Sequence, residues 1–284
     1  MTAETKIIRG SGGPPKPPPP PYRAPDTLHS RSFATIQDLI SEGEIEGFAS
    51  ASKEGLTKGT TAYDNASLKD VFLDDTPILQ STATSSSPAD TDFNFQDVTF
   101  KSKFGTSNQT AMSGIASESR SPTAVGVTVV NSDGTDNEGI IGSVTRQISN
   151  TDVDAVIVTL TWPQIQVLED DGDIRGDTVS YKIQVEHDSG GYVTKIESSV
   201  SGRTGDAYAR DHRIELTSGF TTVNVRVIRN TITSTSEQRV NAFEFTSLQE
   251  VIDDSSTYAN SAYVALRVDS KQFNRVPTRK YRIR

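Results

Sequence analysis

No cysteine occurs anywhere in the 284 residues. That excludes a disulfide scaffold, a thiolate nucleophile and any cysteine-ligated zinc or iron–sulfur site, and it leaves the redox compartment unread. Positive charge is in deficit: 28 Lys and Arg stand against 37 Asp and Glu, a net charge of −9. This is the wrong sign for a chain that holds nucleic acid by neutralising phosphates, and the one locally basic stretch, RVPTRKYRIR at the end, is too short to reverse it. Long apolar runs are missing too. Nothing approaches the roughly 20 residues that cross a bilayer as a helix, and MTAETKIIRGSGGPPKPPPPPYRAPD at the start has no apolar stretch of the kind that marks a secretory signal. The expectation is therefore no membrane insertion and no nucleic-acid binding in this segment. Leu, Met and aromatics are sparse, whereas Thr, Ser, Val and Gly are abundant, a balance that favours strands and turns over packed helices.

A mainly β protein is expected, in three stretches. Residues 1–30 carry Gly10, Gly12, Gly13, Pro14, Pro15 and the run Pro17 to Pro21, which cannot donate backbone hydrogen bonds and holds an extended polyproline form. They read as a disordered arm: a stiff tether, a segment lying on a neighbouring subunit, or a PxxP-type ligand. From Phe33, the residues Ile36, Leu39 and Ile40 fit a short helix or a buried strand, with Gly43 and Gly47 breaking it. SLKDVFLDDTPILQ reads as a hairpin turning at Asp74–Pro77, and FNFQDVTFKSKFG as half-buried strand.

Beyond Ser121 come seven strand-like runs: AVGVTVV, GSVTRQI, DAVIVTLTW, TVSYKIQVEH, GYVTKIESSVS, RDHRIELT and TTVNVRVIRN. Seven short alternating strands are what a two-sheet sandwich requires. NAFEFTSLQEVID is expected to leave the sandwich. AYVALRVDSKQF then starts a new strand, whose Tyr263, Leu266 and Val268 would cover the apolar residues Val71, Leu73, Val98 and Phe100. The chain stops at PTRKYRIR as if it continued.

Candidates for chemistry are few. Glu42, Glu44 and Glu46 in TIQDLISEGEIEGF could be an acid/base group or only a turn between two buried segments. Of three histidines, His29 adjoins the arm, while His187 and His212 lie on separate strands and could pair only through the fold. LEDDGDIRGD gathers Glu169, Asp170, Asp171, Asp173 and Asp177 around Gly172 like a calcium loop, but it fails the EF-hand spacing and reads rather as a solvated connection between strands; its RGD carries no weight. No P-loop, Rossmann fingerprint, GxSxG or HExxH occurs. No catalytic, cofactor-binding or metal-binding residue is assigned, and no cofactor is expected.

At this point IQDLISEGEIEGF, DVFLDDTPILQ and FNFQDVTFKSKFGTSNQT together resemble the tail-tip J protein family of lambda-like siphophages. The resemblance continues through GDIRGDTVSYKIQVE, GGYVTKIESSVSGRTGDAYARDHRIEL, VNVRVIRNT and FEFTSLQEVID…YANSAYVALRVDSKQFNRVPTRKYRIR. It implies the amino-terminal part of a longer, non-enzymatic virion protein that forms a homotrimeric hub at the distal end of a phage tail and contacts other distal tail proteins. A hub domain of residues 31–123 and 253–284 would be interrupted by a sandwich of 124–252. Glu42, Glu44 and Glu46 would then sit in a structural turn, with Glu44 where the family often has Pro. The family's receptor-binding region lies far beyond this segment. Two other readings stand beside it: a carbohydrate-binding sandwich, which needs exposed aromatics from among Trp162, Tyr181, Tyr192 and Tyr208, and a cell-wall hydrolase using paired carboxylates.

Overall fold

The computed structural model of the protein describes residues 20–31, 33–112, 114, 116–132 and 142–284, with backbone alone for 116–119. Most of the expected Pro/Gly arm, residues 1–19, lies outside the described residues. The fold is mainly β, as the composition implies, and is built from several antiparallel sheets.

Phe33–Glu42 is a strand, which resolves the ambiguity around Ile36. Its period is two: Ala34, Ile36 and Ile40 pack inward, while Phe33, Thr35, Gln37 and Leu39 are exposed. Its partner comes from the far end of the chain. Ser261–Asp269 pairs antiparallel with it, from Phe33 opposite Asp269 to Glu42 opposite Ser261, and Thr99–Phe104 takes the other side. The last segment of the sequence thus supplies the middle strand of this three-stranded sheet.

Val71–Leu73 and Thr76–Pro77 form the expected hairpin, with Asp74 and Asp75 at φ 46° and 68° in the turn, a conformation that short acidic side chains tolerate. Arg279–Tyr281 adds a third strand to the hairpin. Val71, Leu73, Ile78 and Phe48 then meet Val264, Leu266 and Val268 in one buried cluster. Tyr263 does not join them. It packs with Met112 and Ala265 on the opposite face, because 263 and 264 differ in parity and an alternating strand sends neighbours to opposite sides. The strand read over FNFQDVTFKSKFG is shorter than expected: Asp97 at φ 55° interrupts it, so only Thr99–Phe104 forms a strand, while Phe93 makes a single antiparallel bridge with Leu79 and Phe93, Phe95 and Val98 pack on the cluster.

All seven strand-like runs form the sandwich. One sheet has the order Val193–Gly202, Asp177–His187, Val223–Arg229, Val144–Ile148. The other has Tyr208–Glu215, Ala155–Trp162 and Glu244–Asp253, with Thr123–Thr128 and Ala116–Ser119 both pairing on the last of these. Glu244–Asp253 therefore stays inside the sandwich, contrary to the sequence reading. A register shift between Phe245 and Ser247 breaks the alternation by which it would have been recognised. Between the sheets Trp162 stacks on Phe243 with ring centroids 5.0 Å apart and tilts against Tyr181 at 5.6 Å, surrounded by valines.

At one end of this core Arg229, only 2% exposed, donates to Thr231 O at 2.9 Å and to Asn241 O and Oδ1 at 2.9 and 2.7 Å. Asn241 passes the bonding on to Asp177 Oδ2 at 2.7 Å. Burial pushes the Arg229 guanidinium down to about 10, so it is still a cation at neutral pH, and its donors need these acceptors.

Candidate functional site

The turn that carries Glu42, Glu44 and Glu46 is built around its apolar residues. Ile45 and Phe48 are buried, while the three carboxylates face solvent. Ile45 N donates to Phe104 O at 2.9 Å, and Glu46 N donates to Arg284 O at 2.8 Å. Gly47, at φ 142°, lies where a Cβ would stand 2.1 Å from the Tyr63 hydroxyl, so the backbone is pressed against the helix Thr61–Leu68. Glu46 pairs with Arg284 at 3.6 Å. These features make a connector between a sheet and a helix.

Carboxylates that do engage buried groups lie elsewhere, and sequence reading missed them. Asp70 is fully buried. It accepts from Ser50 N at 2.5 Å, Ser50 Oγ at 3.0 Å and Arg282 Nε at 3.0 Å. Asp38 accepts from Arg279 Nε and Nη2 at 2.6 and 2.9 Å and from the Tyr281 hydroxyl at 2.6 Å. The Arg279 guanidinium holds the Asp38 carboxyl below its usual range against the opposing effect of burial, while burial and the neighbouring carboxylate push the Tyr281 phenol up. Both sites bind the basic end of the chain to earlier elements. The basic stretch at the end of the sequence thus supplies ion-pair partners to Asp38 and Asp70.

Each histidine has its own surroundings. His29 is exposed, and His187 accepts from Thr217 N at 3.3 Å beside Phe220. His212 Nε2 lies 2.7 Å from the Tyr181 hydroxyl, across the two sheets. Arg210 donates to the same hydroxyl at 3.3 Å, to Tyr208 Oη at 3.1 Å and to Ser199 O at 3.2 Å. Burial, reinforced by the Arg210 cation, pushes the His212 imidazole down to about 4. The result is a polar clasp at one edge of the sandwich, with a neutral imidazole.

The acidic loop spends its oxygens internally. Asp173 accepts from Tyr22 N at 2.7 Å and from Arg175 at 3.3 Å, Glu169 pairs with Arg175 at 3.1 Å, Asp170 accepts from Gln238 at 2.9 Å, and Asp177 is held by Asn241. Among the described residues no group of three or more His, Asp or Glu side chains is placed to hold a metal ion. The aromatics proposed for carbohydrate binding are mostly inside: Trp162, Tyr181 and Tyr208 are buried, and Tyr192 is covered by Arg226, whose guanidinium lies 3.5 Å from the ring centre.

Residues 119–254, the span from Ser119 to just past Asp253, match the FNIII-A domain of tip attachment protein J. Over 271 residues, 95% of its length, the chain is 33% identical to tip attachment protein J of Escherichia phage SECphi4. The chain belongs to the tip attachment protein J family. A second member, from Escherichia phage SECphi27, is 27% identical over 94% of the chain. The chain spans about a fifth of the length of these relatives, 21% and 20% respectively. Among solved structures, the receptor-binding domain of spike protein P1 from bacteriophage PM2 covers 47% of this chain and 93% of its own, at 13% identity and a TM-score of 0.30, too low to carry an argument.

Proposed function

We propose that this chain is the amino-terminal hub portion of a phage tail attachment protein, a structural virion component at the distal end of the tail. In this reading it assembles as a homotrimer, docks to other distal tail proteins and carries the host-recognition parts that follow it. The observation that supports this best is the 33% identity to a tip attachment protein J maintained over 95% of the chain. In this proposal the hub domain expected over 31–123 and 253–284 is interrupted by the inserted sandwich already from Ala116, because Ala116–Ser119 pairs within a sandwich sheet, and the pairing of Phe33–Glu42 with Ser261–Asp269 is in keeping with such an insertion. The long outer strand Phe33–Glu42, with Leu39 62% exposed, offers an edge of the kind through which sheets join. No helix among the described residues is long and apolar enough to cross a membrane.

The reading assigns no catalysis, because the carboxylates in the sequence motif face solvent around a buried Ile45 and the buried carboxylates are engaged by arginines. Particles carrying Glu42→Gln together with Glu46→Gln are expected to degrade peptidoglycan or polysaccharide as unsubstituted particles do. A large loss of cleavage in correctly assembled particles would support the cell-wall hydrolase instead.

A further inference from the structure

Residues 22–31 run across the sandwich before the chain enters its first long strand, and their bonds are spread over three stations. At the first, Ile174 N donates to Tyr22 O and Ala24 N donates to Ile174 O, both at 2.8 Å, so the segment adds itself to the edge of the small sheet of Ile174–Arg175, Gln166–Leu168 and Arg239–Val240. At the second, Thr27 N donates to Arg203 O at 2.9 Å, Arg203 Nη1 donates to Ala24 O at 3.0 Å, and the same nitrogen is paired with Asp26. At the third, Ala209 N donates to Ser30 Oγ at 2.8 Å. Arg31 then leaves the sandwich and bonds Asp97 at 2.6 Å and Asp269 at 3.2 Å, both beside the three-stranded sheet.

We infer that residues 22–31 are a strap that fixes the sandwich in one orientation relative to the three-stranded sheet, with the Asp26–Arg203 pair as its clasp. The argument is mechanical. Both covalent crossings between the two bodies leave from one end of the sandwich, where Val251 pairs with Ser119 and with Ala155. Two adjacent crossings act as a hinge. The strap grips the opposite end, where Tyr208 pairs with Trp162 and Glu244 with Thr161, and it returns to the sheet through Arg31. A tie attached away from a hinge resists rotation about it.

The sandwich is shaped to receive this segment. A Cβ at Gly202 would stand 2.4 Å from Thr27 Oγ1, so the strap lies directly on that backbone. Arg203 is only 3% exposed; among the described residues its Nε and Nη2 have no hydrogen-bond partner, and Asp26 is its counter-ion. A buried guanidinium that loses its counter-ion is strongly disfavoured and regains water most easily if the covering segment lifts. Leu28 is the strap side chain packed on the sandwich core cluster, while Tyr22 is exposed and Pro25, Asp26, Thr27, His29 and Ser30 lie at the surface. The strap can therefore open locally without melting the domain beneath it.

The absence of cysteine allows a direct test on the full chain, with spin labels on Leu39→Cys in the outer strand and Val193→Cys at the sandwich edge, both exposed positions. The unaltered strap should give one narrow distance distribution. Asp26→Ala removes a side chain that belongs to the strap and not to the sandwich, and Leu28→Gly loosens the strap without leaving a buried charge. Each should broaden the distribution at least twofold and speed amide exchange at Ala24, Thr27 and Leu28 at least tenfold, while Trp162 fluorescence is unchanged. Fast exchange with an unchanged distance distribution would show that the strap does not set the orientation. Full protection of those amides in Asp26→Ala would show that the pair is not the clasp.

Discussion

Residues 31–123 produced alone will not reach a folded state, whereas residues 119–254 produced alone will unfold in one cooperative transition. The first fragment keeps Phe33–Glu42 and Thr99–Phe104, the two outer strands of a sheet whose middle strand is Ser261–Asp269. Without that strand the two have no partner, and Val71, Leu73, Ile36 and Phe100 lose the cover of Val264, Leu266 and Val268. Burying a Val or Leu side chain contributes about 1.5–3 kcal/mol. Three of them amount to about 5–9 kcal/mol, as much as the whole net stability of many domains. The fragment also loses Arg279 and Tyr281 from Asp38 and Arg282 from the fully buried Asp70. It should bind hydrophobic dyes and lack a cooperative urea transition. The second fragment keeps both sandwich sheets apart from Ala116–Glu118 of one edge strand, and it keeps the Trp162–Phe243–Tyr181 core. A stably folded, monomeric 31–123 would overturn the discontinuous architecture.

Acidification will weaken the sandwich well before ordinary carboxylates titrate, and His212 will be the cause. Its folded pKa, about 4, lies below the 6.5 of an unperturbed imidazole. The native state therefore favours the neutral ring, and the unfolded chain binds the proton first. The contribution is fully present above pH 6.5, falls as the pH drops below that value, and is exhausted near pH 4. At 1.36 kcal/mol per pKa unit the full shift is about 3 kcal/mol, and partial access of water to the ring reduces this to the order of 2 kcal/mol. The groups around it fit this sign: protonation would place a second cation beside Arg210, at a Tyr181 hydroxyl already accepting from that guanidinium. Asp211, next in sequence, acts in the opposite sense and is outweighed. Asp38, held below the usual carboxylate range, adds its own loss only at lower pH. Urea midpoints at pH 7 and pH 4.5 measure the effect. His212→Gln should remove most of the difference, and an unchanged difference in that variant would assign the acid sensitivity elsewhere.

Apolar and polar residues alternate from Val179 to Glu186 in TVSYKIQVEH and from Val223 to Val227 in TTVNVRVIRN, so the sandwich was legible without structural information. The Asp-rich turn at Asp74 and Asp75 marked its hairpin for a similarly local reason. What escaped depended on irregularity or distance. Glu244–Asp253 carries a bulge that hides its period, and Tyr263 was assigned one residue out of phase with the Val264–Leu266–Val268 face. The helices Ala49–Lys53 and Thr61–Leu68 are short and rich in Ala, Ser and Thr, so they show no apolar stripe; the available signal was Thr60, whose Oγ1 caps Tyr63 N at 3.3 Å. Composition grouped residues 20–30 with the Pro-rich arm, because nothing local in YRAPDTLHS shows that Asp26 meets an arginine 177 residues away. The ion pairs at Asp38 and Asp70 were hidden by the same distance, since their partners lie in the last six residues of the chain.

The proposed placement of this chain at the distal end of a tail can be measured directly. A peptide tag inserted between Gly190 and Gly191, in the exposed turn after His187, can be labelled with gold on purified particles and imaged by electron microscopy. Label confined to the distal tip of the tail is the expected result. Label on the capsid or along the tail shaft, or intact infectious particles that contain none of this chain, would contradict the account.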